Sequence, residues 1–382
     1  MENNNSVCFV AKINEIKPIE GADNIEQGVI GGWNCIIKKG QYNVDDLVVV
    51  ATTDAVIPVK ISDAMNVTNY LRKGQRVRTV KLRGVYSECL IIPLMYAEKV
   101  THPKAKWEEG TDMMELLGIT KYEPPVTQIQ LASGKKVRYQ NNPAFTTYYK
   151  FPNLKNVKGM FNEGDTVQIT RKLHGTNARY GIVKKLKLSF WDKTKKFFGL
   201  ADNWIGYEYV YGSHNVEKGS DSQGFYSTDV WREVADKYKI KDKLWHAAKV
   251  LESLEDIGSG IIIYGEVYGP GIQKNYDYGL KELEFAVFDM TINGEYQSTG
   301  KVEVYCEHPS GLNLPHVPVL YKGDWSQAEQ DRWTFNNFIE GTKVPHEGIV
   351  VKECSGNRQK VAKVINPDYL IYGEKHDVGD SH

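Results

Sequence analysis

Five cysteines are all that the 382 residues contain, and none stands in a Cys-x-x-Cys pair. Scattered thiols of this kind exclude a disulfide scaffold and a structural zinc knot, and they point to a reducing, cytoplasmic setting. The opening Met1-Glu2-Asn3-Asn4-Asn5 carries neither the basic nor the apolar part of a signal sequence. No apolar run approaches the roughly twenty residues of a membrane span. Charge of either sign is not in excess: 48 Lys and Arg stand against 48 Asp and Glu. Binding to nucleic acid therefore has to come from a local basic stripe and not from overall charge. Without a large apolar surface stripe, a monomer is expected.

At 41% apolar content the chain can bury two or three cores. Residues 6 to about 120 read as short strands at the spacing of a small barrel, from Val7-Cys8-Phe9-Val10-Ala11 to Glu88-Cys89-Leu90-Ile91-Ile92. Within them Lys73, Arg76, Arg78, Lys81 and Arg83 alternate largely in register, so that one face of a strand pair could follow a phosphate backbone or form a charged, protected edge. Thr111 to Gly118 reads as a short helix closed by glycine. Pro124-Pro125 then stiffens the start of a linker. The boundaries are 1–122 for an OB-like RNA-binding domain, 123–150 for a linker and 151–382 for a second domain.

That second domain is organised around Arg171-Lys172-Leu173-His174-Gly175-Thr176-Asn177, a polar turn between two strand-like runs. A lysine before a small hydrogen-bonding loop can offer an amine to a phosphate, provided that neighbouring cations, a metal or desolvation lower its proton affinity. Arg171 is the first candidate neighbour. Downstream, Gly260–Gly269 closes on Glu266 between glycines, Leu283–Asp289 carries Phe288, His346–Lys352 carries Glu347, and Arg358–Ile365 carries Lys360 and Lys363. Residues 184–218 hold seven lysines with Trp191, Phe197 and Phe198 interleaved, which suits either a grip on a strand or a hairpin packed on the core. Helical spacing runs over 229–256, and a capping box at Ser326 opens a helix to about Ile339. The tail from Tyr372 is expected to be loose.

As a set, these runs resemble motifs I, III, IIIa, IV and V of the covalent nucleotidyltransferases, the superfamily of polynucleotide ligases and capping enzymes. Lys-Leu-His-Gly-Thr-Asn at 172–177 is most similar to the RNA ligases, and Ser213-His214-Asn215 resembles their motif Ia with His in place of Arg. The wording around Ile19–Ile25 and Gly74–Gly84 resembles the OB domain that precedes the catalytic domain in one branch. The resemblance implies an α+β chain, an N-terminal OB-like barrel followed by a nucleotidyltransferase domain of antiparallel sheets flanked by helices.

It also implies roles. Lys172 would take AMP from ATP and pass it to the 5′-phosphate of RNA, whose partner 3′-hydroxyl then displaces AMP, at free ends or in a nicked duplex. Glu266 would hold the ribose, Phe288 would stack on adenine, and Glu347 would orient hydrated Mg²⁺ or Mn²⁺, with His174 touching a metal-bound water. Lys363 with Lys360 would contact the α-phosphate, Asn177 would position the substrate phosphate, and Arg171, Leu173, Gly175 and Ser213 would complete the nucleotide site. The alternatives are another covalent nucleotidyltransferase, such as a DNA ligase or capping guanylyltransferase, and a non-catalytic RNA-binding protein.

Overall fold

The computed structural model describes residues 6–72, 74–98, 107–122, 142–157, 159–198, 204–214, 217–218, 229–252, 257–354 and 360–378. Most of the expected linker, Lys73, Asn215 and Arg358 lie outside these residues. The chain divides into two compact units, one of residues 1–126, 153–159 and 367–375, the other of 127–152, 160–366 and 376–382. Two segments from beyond residue 150 thus belong to the first unit.

In the first unit, β1 (Cys8–Lys12), β5 (Leu47–Thr52) and β8 (Cys89–Ile92) form one antiparallel sheet, with β5 central. A second sheet joins β2 (Glu15–Pro18), β3 (Ile25–Ile30) and β4 (Trp33–Lys38), and β6 (Val80–Leu82) pairs with β7 (Val85–Ser87). The central β5 is Leu-Val-Val-Val-Ala-Thr and is buried on both faces, so its side chains feed two cores in alternation. Val49 and Ala51 enter one, Val48 and Val50 the other. The expected short helix forms at Met114–Leu117 and ends on Gly118 at φ 65°. Of the tail expected to be loose, residues 372–376 lie within a helix over Pro367–His376 that opens on proline, the residue best suited to a first helical turn, and residues 379–382 lie outside the described residues.

The second unit is built on two antiparallel sheets. In one, β9 (Thr166–Lys172) lies between β14 (Val319–Asp324) and β15 (Gly348–Glu353), with β16 (Val361–Ile365) outermost. In the other, β10 (Thr176–Lys184) lies between β11 (Tyr207–Gly212) and β12 (Gly260–Tyr268), and β12 pairs onward with β13 (Glu284–Ile292). Ile261, Ile263, Phe285 and Val287 bury one face of that sheet against α2 (Val230–Tyr238) and α3 (Ile240–Glu252). The helical spacing over 229–256 is therefore two helices, broken where Lys239 turns left-handed at φ 53°. The helix that Ser326 caps stops at Thr334, because Phe335 is extended and Asn337 donates to the carbonyls of Arg332 and Phe335. Among the described residues, no helix is long and apolar enough to cross a membrane.

Candidate active site

The turn Leu173-His174-Gly175 carries the chain from the end of β9 in one sheet to the start of β10 in the other, so Lys172 stands where the two sheets meet. Its geometry leaves no room for a side chain at Gly175, since a Cβ there would come within 2.3 Å of the Val267 carbonyl oxygen. The loop between β12 and β13 grips the turn. The His174 N–H donates to the Tyr278 hydroxyl at 2.6 Å, and the Gln273 side-chain amide donates to the Gly175 carbonyl.

Pairing of Lys172 with Gly348 across β9 and β15 brings Glu347 to the amine. Lys172 Nζ donates to Glu347 Oε1 at 2.5 Å, and Glu347 is almost wholly buried. His174 Nδ1 lies 3.8 Å from the other carboxylate oxygen. Burial, and to a lesser degree the Lys172 charge, pushes the His174 imidazole down to about 4, although Glu347 opposes this, so the ring is neutral near pH 7.

A cavity of about 160 Å³ opens beside the amine, wholly within the second unit. Arg171, Lys172, Leu173, Asn177, Glu266 and Phe288 line it, joined by Tyr148, Phe151, Thr170, Val317, Val350 and Lys352. Two register shifts aim its working groups. One, between Ile169 and Thr170, precedes Lys172; the other, between Tyr264 and Gly265, immediately precedes Glu266. Such bulges re-aim side chains beside functional sites. Burial raises the Glu266 carboxyl to about 8, with Glu347 adding to the shift while Lys172 and the Gly175 N–H oppose it. A protonated carboxyl in an apolar pocket both donates and accepts hydrogen bonds, as recognition of paired hydroxyls requires. The rings of Phe288 and Tyr148 meet at 4.9 Å and 66°, forming an aromatic corner for a flat ligand ring.

Sequence reasoning missed the network behind that corner. Lys352 Nζ donates to the Phe288 carbonyl at 2.6 Å and lies 3.3 Å from Asp289 Oδ2, which also accepts from the Tyr148 hydroxyl at 2.8 Å. Lys352 and Asp289 are buried, and a buried lysine with a buried aspartate is costly unless paired. The available signal was a charged residue at the end of each of two apolar strand runs.

Other expectations are redirected. Arg171, on the opposite side of β9 from its neighbour Lys172, reaches Asn337 Oδ1 at 3.3 Å; its Nη1 is buried with no hydrogen-bond partner among the described residues. The partner of the amine is thus a carboxylate and not the expected cation. Lys360 is bound to Asp165 Oδ2 at 2.7 Å, just before the far end of β9, about 20 Å of strand from Lys172. Lys363, by contrast, lies across from Val350, itself across from Thr170, and so shares the Lys172 face of the sheet. Ser213 offers its carbonyl to Arg179 Nε at 2.9 Å and is not among the cavity residues, and burial, with the charges of Arg179 and Lys150, pushes the neighbouring His214 imidazole below its ordinary value.

The expected basic stripe is largely committed within the first unit. Arg76 is buried in an ion pair with Asp54 and stacked on Tyr122 at 4.1 Å, so it carries the fold and offers nothing to a phosphate. Arg78 lies 3.7 Å from Glu374 and Lys81 3.5 Å from Asp368, both on the C-terminal helix. Arg83 stays exposed. Glu347 and His174 are the candidate metal contacts, and no group of three or more His, Cys, Asp or Glu arranged to hold a metal occurs among the described residues.

The RNA ligase family model matches residues 165–365, more than half of the chain, and an OB-fold domain model matches residues 7–94. Similar solved structures include a lysine-to-alanine mutant of Naegleria gruberi RNA ligase with ATP and Mn, at 23% identity and a TM-score of 0.66, covering 97% of this chain and 99% of that one. A glutamate-to-alanine mutant of the same ligase with AMP and Mn matches at 24% identity and 0.66, and the ligase with PPi at 24% and 0.65, each with the same coverage. At such identities these likenesses establish a shared fold. No curated protein matches the chain.

Proposed function

The chain belongs to the RNA ligase family, and on that premise we propose that it is an ATP-dependent RNA ligase working through a lysyl-AMP on Lys172. The observation that carries this is one cavity holding a lysine amine at 2.5 Å from a buried carboxylate, a carboxyl raised to about 8 and an aromatic corner. The Naegleria ligases with ATP or AMP and Mn share the fold and support the same choice of nucleotide. Residues 1–122 are assigned to RNA binding and 151–382 to adenylyl transfer, with 123–150 between them.

Lys172 Nζ attacks the α-phosphorus of ATP, a P–N bond forms and the bond to pyrophosphate breaks. Glu347 Oε1, which holds the ammonium in the resting state, is within reach of the proton that the amine sheds. Glu266 hydrogen-bonds the ribose, Phe288 and Tyr148 pack on adenine, and Asn177, whose Oδ1 is buried with no hydrogen-bond partner among the described residues, takes a polar group of the substrate. Lys363 faces the phosphates. One buried carboxylate beside one neutral imidazole suits a hard cation that keeps most of its waters, so Glu347 and His174 would hold Mg²⁺ or Mn²⁺ through water, and its charge would neutralise the phosphates. AMP then passes to an RNA 5′-phosphate, and a 3′-hydroxyl displaces it.

Covalent labelling tests this. With α-labelled ATP and Mg²⁺, acid-labile, base-stable label is expected on the protein, absent with GTP and with Lys172→Ala. Protein first stripped of bound AMP with pyrophosphate that still takes no label would sink the proposal. Joining of nicked and single-stranded RNA with 5′-phosphate but not 5′-hydroxyl ends is the companion assay.

A further inference from the structure

Residues 184–198 form a positive island on a chain of zero net charge: six lysines (Lys184, Lys185, Lys187, Lys193, Lys195 and Lys196) against Asp192 leave a net charge of +5. Within this stretch lies α1 (Phe190–Phe197). The sequence allowed its aromatic residues to pack on the core, but they do not. Phe190 is 77% exposed, Trp191 73%, Phe197 84% and the following Phe198 66%. At 100° per residue, Phe190, Trp191 and Phe197 fall within an arc of about 120°, with Lys193 and Lys195 at its two rims. The rings meet edge to face, Phe190 with Trp191 at 6.0 Å and 77°, Phe197 with Phe198 at 5.3 Å and 85°. An exposed aromatic stripe of this kind on a water-facing helix marks an interaction surface.

Charge selects the partner, and β10 relates it to the reaction. That strand starts beside the nucleophile turn and runs nine residues, about 30 Å, to Lys184, where the island begins. We propose that α1 is a handle for single-stranded RNA flanking the junction, its aromatic residues stacking bases while the rim lysines neutralise phosphates. The inference rests on the RNA ligase reading for its choice of nucleic acid. An amphipathic helix with lysines beside aromatics can also lie on an anionic bilayer. Eight residues give only about 12 Å of helix, however, a short anchor for a bilayer but room for three or four bases at about 3.4 Å each.

Two variants test it, both confined to exposed side chains: Trp191→Ala with Phe197→Ala, and Lys193→Gln, Lys195→Gln with Lys196→Gln. The aromatic variant is expected to weaken the Kd for a labelled single-stranded RNA oligonucleotide about tenfold or more. The lysine variant is expected to reduce the slope of log K against log salt by about 1.4, the share of the two rim lysines. Lysyl-AMP formation from ATP should match the unaltered protein in both. RNA affinity and salt slope unchanged in both variants would overturn the proposal. So would binding to phosphatidylserine vesicles that the aromatic variant loses while its RNA affinity stays intact. Failure of the unaltered protein to form lysyl-AMP would instead strike the ligase reading, and the RNA-binding arm would still report on the handle.

Discussion

Gly175 shows how narrowly single residues are constrained here. A methyl at Gly175 has to displace the backbone of Val267 or the turn itself, because its nearest contact is a carbonyl oxygen and not the end of a flexible side chain. Gly175→Ala is expected to cost about 1–3 kcal/mol of stability, as overpacking does, and to slow lysyl-AMP formation at least tenfold, measured by denaturant melts and single-turnover labelling. Lys172, Glu266, Phe288 and Glu347 were picked out in the sequence only as a set, through their resemblance to the family's motifs, and the fold lines one cavity with the first three and sets Glu347 against the amine. The partners of Arg171 and Lys360 were not legible. The direction of a strand side chain and the partner it finds depend on neighbours remote in sequence, Asn337 for one and Asp165 for the other.

At the scale of elements, the loop between β12 and β13 carries no motif, yet it holds the turn Leu173-His174-Gly175. Tyr278→Phe removes the acceptor of a buried N–H, a loss of about 1–3 kcal/mol. Single-turnover adenylylation is expected to slow about tenfold with KM for ATP little changed; a change in KM alone would place Tyr278 in nucleotide binding instead. The basic stripe divides likewise. Arg76→Ala removes one side of a largely buried ion pair with Asp54, and urea melts should register a loss of about 3 kcal/mol. Arg83→Ala, at an exposed turn, should leave stability within about 0.5 kcal/mol. Alternation in register was visible in the sequence. That the C-terminal helix supplies Asp368 and Glu374 to Lys81 and Arg78 was not, because those partners lie nearly 300 residues away.

For the whole molecule, four buried or half-buried groups shape stability against pH. Burial holds His174, His316 and His346 down to about 4. Between there and the ordinary 6.5, the unfolded chain binds protons that the folded one refuses, so stability rises with pH across that window. Glu266 runs the other way: raised to about 8 from 4.5, it keeps a proton that the unfolded chain releases, and stability falls across that range. Together these groups favour a maximum near pH 6.5, which thermal melts of the ligand-free protein can locate. His316→Gln should flatten the acid limb and Glu266→Gln the alkaline one; an unchanged alkaline limb in Glu266→Gln would show that this carboxyl is ionised in the folded protein.

Local order in the chain determined the strands, the barrel at the N-terminus and the family, because periodicity, glycine placement and short motifs are properties of neighbouring residues. Tertiary structure alone decided which charges are available. It committed Arg76, Arg78, Lys81 and Lys360 to carboxylates, buried Lys352 against Asp289, placed a carboxylate at the Lys172 amine, and turned the aromatic face of α1 outward. The physical reason is range: a side chain's burial and its ionic partner come from strands and helices that meet only once the fold is complete.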